Sequence, residues 1–422
     1  MAQLSDDCFA FGGEMMAVDR ALELLSGRLH PVTATRRIGL ADSLGHVLAE
    51  DVVAPFNVPP HDNSAVDGYA VFFDDLTPDA ATLLPVTARV AAGHALDRPG
   101  RRGEAVRIFT GAPMPEGFDT VLMQEDCKAE EGSVAIPPGI RRGANRRRAG
   151  EDMARGSTVL TAGRRLRAED IGLLASLGRR EVTVRTALRV AVFSTGDEVR
   201  EPGVPLEPGC IYDANRFALI AALRQLGCGV TDLGILPDRL DAVRGALEEA
   251  AGTHDVLITS GGMSTGEEDH VKAAVEALGG LHFWRLAIKP GRPVALGTVK
   301  GATKGAAVFV GLPGNPVAVM VTFLRIARPI LLRLMGAADE APALFPLRAG
   351  FTYKKKAGRR EYVRATLARA ADGVLTAVKH PRDGAGILSS MVESDGLVEL
   401  PEEITRIEPG MIVDFLPFSE VR

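Results

Sequence analysis

Between Leu188 and Gly336 the chain alternates continuous apolar runs with amphipathic segments that each stop at a glycine, and this pattern constrains the fold more than any other feature. Arg189–Phe193, Val230–Leu236, Asp255–Thr259 and Ala307–Val310 read as strands. Ala214–Leu226, Leu240–Ala251 and His270–Leu278 read as helices that close at Gly227, Gly252 and Gly279, the residue type that ends a helix most readily. Strands that are apolar throughout must be covered on both faces, and a parallel sheet between two helical layers does this. Val317–Leu334 is the longest apolar stretch, but Arg325, Arg328, Pro329 and Arg333 interrupt it. It reads as a core helix, because a membrane span needs about 20 apolar residues in a row.

The flanks have a different grain. At 422 residues the chain exceeds one ordinary core, so two to four domains are expected. Met15–Leu48 carries helical apolar spacing around Val18, Leu22, Leu25 and Val47, and Ala168–Leu177 reads as a short helix stopped by Gly178. The two are expected to pack together. Between them lie short β-like runs, Leu83–Val90, Ala105–Phe109, Thr120–Met123 and Ser133–Ile136, which read as an inserted β domain. After Gly336, the segments Glu361–Leu367, Val374–Val378 and Met411–Phe415 suggest a small terminal β-barrel.

Charge and cysteine content narrow the function. A formal net charge of -5 argues against a general nucleic-acid binder, which needs a basic face to displace counterions. The first 13 residues carry Asp6 and Asp7 and no sustained apolar core, so no secretory signal is read there. Cys8, Cys127, Cys210 and Cys228 stand far apart with no paired ligand pattern, which disfavours zinc and suits a reducing compartment such as the cytoplasm.

Ligands of open parallel sheets bind beyond the carboxyl ends of the strands. Here those loops are Ser194-Thr195-Gly196-Asp197-Glu198, Ser260-Gly261-Gly262 running on to Gly266-Glu267-Glu268-Asp269, and Gly311-Leu312-Pro313-Gly314-Asn315-Pro316. Glycines let backbone N–H groups converge on anionic oxygens, and Asn315-Pro316 has the form of an N-cap followed by the first helical residue. Ordinary tight turns are the plainer alternative for any one loop. Glu198, Asp238 and Asp269 would repel a phosphate unless a hard cation such as Mg²⁺ lay between, although Asp238 and Asp269 also stand where helix N-caps would. Lys289 and Arg285 could meet a tetrahedral oxyanion. The basic run Arg141–Arg148, followed by Glu151 and Asp152, reads as a solvated loop, and His61–Ala70, with Asp67 in it, as an Asx-rich turn.

Taken in order, these motifs resemble the MoeA family, to which the gephyrin E domain belongs. The residues that carry the resemblance are Asp62–Ala70, Thr110-Gly111-Ala112-Pro113, Gly150-Glu151-Asp152, Phe193–Glu198, Ile211-Tyr212-Asp213, Ser260-Gly261-Gly262, Gly266–Asp269, Ala287–Gly291 and Gly311–Pro316. The resemblance implies an α/β multidomain protein with a central MogA-like parallel-sheet domain, N-terminal helical and β domains and a small C-terminal β-barrel. The expected boundaries are 14–53 with 150–187, 54–149, 188–336 and 337–422. It further implies a homodimer with its active site at the subunit interface, and an enzyme that inserts molybdate into adenylylated molybdopterin with Mg²⁺ and releases AMP. A MogA-like adenylyltransferase and molybdoenzyme maturation factors would be its partners, with no nucleic acid or membrane involved.

Carried over by position, the catalytic roles fall on Asp67, Asp152, Asp238 and Asp269, with Glu198, Asp238 and Asp269 toward the metal. Substrate contacts fall on Thr110, Ser194, Thr195, Gly196, Gly261, Gly262, Arg285, Lys289, Pro313, Gly314, Asn315, Pro316 and Ser389 or Ser390. Arg285 stands where relatives have lysine, and His270 where an aromatic hydroxyl is common. Three other functions fit parts of the chain. They are an adenylyltransferase built on the central domain alone, a serine hydrolase through Gly262-Met263-Ser264-Thr265-Gly266, and a non-catalytic molybdopterin-binding scaffold.

Overall fold

The computed structural model describes residues 15–262, 270–302, 305–338 and 341–421. Its central sheet has six strands in the order Gly229–Ile235, Arg189–Ser194, Val256–Ser260, Ala306–Leu312, Pro293–Lys300 and Gly279–Arg285. The first four run parallel, as the apolar runs require, and Val190, Val256 and Val308 share one register across three of them. The last two form an antiparallel hairpin that the sequence pattern did not reveal. Both faces are covered. Ala214–Leu226 and the helical run from Pro316 to Met335 lie in one apolar cluster with Val190, Val192, Ile258 and Val310, while Leu240–Ala251 and His270–Leu278 pack with Phe193, Leu257 and Phe309 on the other.

The three helices fall where the periodicity placed them. Ala214–Leu226 is capped by the Asp213 carboxylate, which accepts from the Arg216 N–H, and it ends at Gly227 with φ +94°, a conformation only glycine takes freely. Pro316–Met335 is the expected core helix, with a π turn over Phe323–Ala327 in its middle.

The N-terminal expectation needs correction. Helix forms only over Val18–Ser26 and stops at Gly27; Thr35–Gly39 is a strand paired with Glu181–Arg185. Pro31 and the β-branched Val32, Thr33 and Thr35 oppose helix there, and the apolar spacing had bridged two different elements. Nor do the two helices pack together. Val18, Ala21 and Leu25 bury against the helical run and the barrel, whereas Leu174 of helix Ala168–Ser176 belongs to a separate cluster with Leu48, Val52 and Val184.

The inserted region holds a six-stranded sheet in the order Thr120–Met123, Gly68–Val71, Ala105–Ile108, Thr82–Val90, Ser133–Ile136 and Lys128–Glu130. Four of these strands match the sequence reading. Gly68–Val71, read as part of a turn, is instead a buried inner strand: a Cβ on Gly68 would lie 1.7 Å from the Leu122 carbonyl oxygen, so only glycine permits this approach. At the C-terminal end, Arg360–Arg369, Leu375–Lys379, Phe345–Ala349, Ile412–Pro417 and Gly396–Leu400 pair in a ring, closed because the first also pairs with the last. Ile288–Lys289 pairs with the barrel strand Arg360–Arg369, which draws the central hairpin's turn onto the barrel.

Candidate functional site

A cleft of about 680 Å³ opens between the carboxyl ends of the central strands and the barrel. One wall is built by the glycine loops. Strand Val256–Ser260 runs into Gly261 and Gly262, with φ of +84° and +61°, and strand Ala306–Leu312 into Pro313, Gly314 and Asn315. The loops lie backbone against backbone: the Gly261 N–H donates to Leu312 O at 3.0 Å, and a Cβ on Gly314 would sit 3.6 Å from the Gly261 Cα. Asn215 holds the second loop by donating to Gly314 O at 2.7 Å. Asn315 is the N-cap of the helix and Pro316 follows in its first turn, as expected; the Asn315 side chain makes no capping bond.

The other wall is one the sequence reading missed. Tyr353, Arg359, Glu361, Arg364, His380 and Arg382 of the barrel all line the cleft. Lys289 crosses to them, donating to Tyr353 Oη and Glu361 Oε2 at 3.1 Å each. Glu361 is 1% exposed and also accepts from Tyr353 Oη and Arg359 Nε, both at 2.7 Å. Burial works against both charges, yet the hydrogen bonds and mutual field outweigh it: the Lys289 ammonium is held above its ordinary value and the Glu361 carboxyl below. Arg382 pairs with Glu393 at 2.7 Å, and His380 shares that carboxylate at 2.9 Å. Arg364 has carbonyl partners only, Arg382 O at 2.7 Å and Gly384 O at 3.4 Å, and its buried Nε has no partner. Desolvation therefore lowers its pKa. The signal available beforehand was charge inside a strand, since Glu361 and Arg364 interrupt an otherwise apolar run and are buried in the structure.

Of the residues singled out from sequence, Gly261, Gly262, Lys289, Pro313, Gly314 and Asn315 line this cleft. Ser194, Thr195, Gly196 and Glu198 stand at the end of the neighbouring strand. The three loops do converge there, because a Cβ on Gly262 would lie 2.6 Å from Thr195 Oγ1. Ser194 Oγ is buried with no partner. Glu198 is exposed, its carboxylate folded toward Gly196. Asp238 follows the adjacent strand, tied to this end by the Leu236 N–H donating to Ser194 O at 2.8 Å. It is not the helix N-cap, which is Arg239. Asp269 and the rest of Met263–Asp269 lie outside the described residues, as does the Arg285 side chain, although its backbone ends the strand Gly279–Arg285. His270 is the first residue of its helix. Ser389 is exposed at the start of a short helix and does not line the cleft, and Ser390 turns inward to donate to Ile387 O at 2.5 Å.

Asp67 and Thr110 form a second, separate arrangement on the inserted sheet. Asp67 Oδ1 accepts from both the N–H and the hydroxyl of Thr110 at 2.8 Å, and these bonds, the backbone one first, hold its carboxyl below the ordinary range. Neither residue, nor the exposed Asp152, lines the cleft of its own chain. Two arginines of the basic run are engaged locally: Arg142 pairs with Asp74 and Asp119, and Arg146 with Asp62, whose other oxygen accepts from the Ala149 N–H at 2.7 Å.

A barrel-capped α/β protein with an anion-suited cleft at the carboxyl edge of its sheet is the class that fold and site define. Three family models match successive stretches: the MoeA N-terminal region (domain I and II) over residues 16–178, a probable molybdopterin binding domain over 191–333, and the MoeA C-terminal region (domain IV) over 346–418. The chain belongs to the MoeA family. It is 38% identical over 409 residues to the molybdopterin molybdenumtransferase of Haemophilus influenzae, covering 96% of this chain and 100% of that one. It is 36% identical to molybdopterin molybdenumtransferase 2 of Mycobacterium tuberculosis, over 88% of this chain and 92% of that one. Among solved structures, a molybdopterin biosynthesis MoeA protein from Pyrococcus horikoshii matches with a TM-score of 0.80 at 27% identity, over 96% and 100% of the two chains. A second structure from that organism gives 0.74 at 30% identity, over 96% and 99%.

Proposed function

We propose that this chain is a molybdopterin molybdenumtransferase, inserting molybdate into adenylylated molybdopterin with Mg²⁺ and releasing AMP, in the cytoplasm. The observation that carries this is the cleft itself. It sets two glycine loops opposite a wall of cations, and Arg364 and Arg292 keep no carboxylate partner among the described residues. The phosphates would rest on the Gly261–Gly262 and Pro313–Asn315 loops, where the N–H groups of Gly262, Gly314 and Asn315 would stabilise anionic oxygen without reorganising. Molybdate, a tetrahedral dianion, would sit toward Lys289 and the barrel arginines, whose planar forks suit paired oxygens. Glu361 keeps Lys289 charged and aimed across the cleft.

Mg²⁺ commonly takes one or two carboxylates plus phosphate and water oxygens, and the hard oxygens of Glu198 and Asp238 at adjoining strand ends fit that donor set. Bound there, the ion would neutralise phosphate charge.

A homodimer accounts for the separated acidic site. Asp67, Thr110 and Asp152 of one protomer would complete the cleft of its partner, and the exposed Ile211, Tyr212 and Phe217, at 58%, 44% and 48%, supply apolar surface beside the Asn215 contact to Gly314. The deciding experiment measures AMP release from adenylylated molybdopterin, with and without molybdate and Mg²⁺. Release that needs both supports the reading. Release without molybdate, or none from a folded dimer, overturns it. Asp67→Asn keeps an acceptor for Thr110 but loses the charge, so turnover should fall at least tenfold with the melting temperature nearly unchanged. Equal turnover would remove Asp67 from the site.

A further inference from the structure

A cavity of about 220 Å³ shares no lining residue with the cleft and lies where the Gly45–Val47 turn, the segment at Arg165, the end of strand Glu181–Arg185, the last turn of helix Ala214–Leu226 and Met335 meet. Arg165, Arg185, Arg224 and His46 line it, and no aspartate or glutamate does. Among the described residues none of these arginines is paired with a carboxylate. Arg165 Nε donates to Gly45 O, and its Nη2 to Gln225 O and Leu226 O, all at 3.2 Å. Arg185 Nη1 donates to Thr33 O at 3.2 Å. Desolvation, opposed only by the Cys228 thiol, lowers the Arg165 pKa, the mark of a cation taken from water without a counter-charge.

His46 adds a donor. Its Nε2 lies 3.2 Å from Arg36 Nη2, and because a guanidinium can only donate, Nε2 must accept and the proton sits on Nδ1. That Nδ1 is buried and has no acceptor.

Among the described residues that line the cavity, the opposing charge comes from the helix C-terminus, roughly half an elementary charge. Three guanidiniums against it leave an excess of about two and a half positive charges, most of which a small dianion would balance. We propose that this cavity is a binding site for a free tetrahedral oxyanion of the phosphate or sulfate kind, held by the forks of Arg165, Arg185 and Arg224. Its size leaves room for one such ion and several waters, a water occupying about 30 Å³. A bound ion would join the turn before Val47 and the segment around Arg165 to the end of the central helix, so that occupancy stabilises the whole chain by mass action.

The test titrates full-length protein with inorganic phosphate by calorimetry, and compares melting in phosphate with melting in chloride at matched ionic strength. Arg224→Gln, at an exposed position, should weaken phosphate binding about tenfold, and Arg185→Gln/Arg224→Gln about a hundredfold, at one charge-assisted contact each. Both leave the Arg165 contacts to the helix end in place. Lys289→Gln, in the cleft, should keep the phosphate-induced rise in melting temperature, which places the ion. The proposal is overturned if the double variant binds phosphate as the parent does, if Lys289→Gln abolishes the rise, or if phosphate stabilises the parent no more than chloride.

Discussion

Glu361→Gln isolates the buried carboxylate that organises the barrel wall of the cleft. In the parent, Glu361 accepts from Lys289, Tyr353 and Arg359 at 3.1, 2.7 and 2.7 Å. Glutamine keeps the shape but offers one oxygen, so its NH₂ must face Arg359 or the Lys289 side, both of which only donate. Lys289 is 45% exposed and can rehydrate, whereas Arg359 is 16% exposed and cannot do so fully. The loss is therefore close to one charge-assisted hydrogen bond, about 2 kcal/mol, rather than the sum of three. For a chain of this size that is a fall of about 2 °C in melting temperature. The pH dependence supplies a second reading. The folded carboxyl lies below its ordinary value of 4.5, so its stabilisation is complete above pH 4.5 and is lost as pH falls through the folded value. The gap between parent and variant should be full at pH 7 and narrow below pH 4.5. Urea midpoints measured at both ends of that range check it. A gap under about 0.5 kcal/mol at pH 7, or one unchanged in acid, would refute the assigned role.

Arg216 is 2% exposed and binds Asp213 at 2.9 Å as well as Asp232 and Glu201; Arg216→Leu leaves Asp213 buried and uncompensated, and should cost about 3 kcal/mol or more in chemical denaturation. Glu104, lowered from 4.5 to about 2 first by Arg98 and then by Thr87 and the Arg101 N–H, contributes stability that is present above pH 4.5 and lost toward pH 2. Allowing for the partial exposure of Arg98, that contribution is about 2 kcal/mol, so Glu104→Gln should flatten the acid limb of the melting-temperature profile by that amount. Gly68→Ala places a Cβ 1.7 Å from backbone rather than from a yielding side chain, and should reduce soluble, folded yield sharply; a well-folded variant would show that the inner strand can shift.

The parts of this fold that were legible in sequence are those where burial is two-sided or a stop is local. Val190–Phe193 and Val256–Ile258 are apolar at every position because helices cover both faces, and Gly227 declares a helix end through its own backbone freedom. Where a segment's neighbours decide its state, the pattern misled. The apolar pattern gave no sign of the hairpin whose turn holds Pro290 and Gly291, and Gly291 is needed there because a Cβ would lie 2.4 Å from Thr322 Cγ2 on the core helix. Gly68 similarly read as a turn residue because its reason, contact with Leu122, is 54 positions away.

The candidate site divides along the same line. Its glycine loops were legible because backbone N–H presentation is a property of the loop's own sequence. The barrel wall was not, because the meaning of Glu361 depends on Lys289, which lies 72 positions earlier and reaches it only when Ile288–Lys289 pairs beside Arg360–Glu361. That pairing turns a surface lysine into a directed cation. It also makes the wall's electrostatics conditional on the barrel's position: in the same register that aligns Lys289 with Glu361, Arg360 Nη1 meets Glu399 at 2.9 Å and Asp19 at 2.8 Å. Asp19 is in the first helix and Glu399 in the closing barrel strand, so one strand's two neighbouring residues, Arg360 and Glu361, fix the barrel to the N-terminal helix on one side and arm the cleft on the other. A one-residue slip of that strand would exchange the two faces and abolish both, and this is why register, rather than composition, specifies the site.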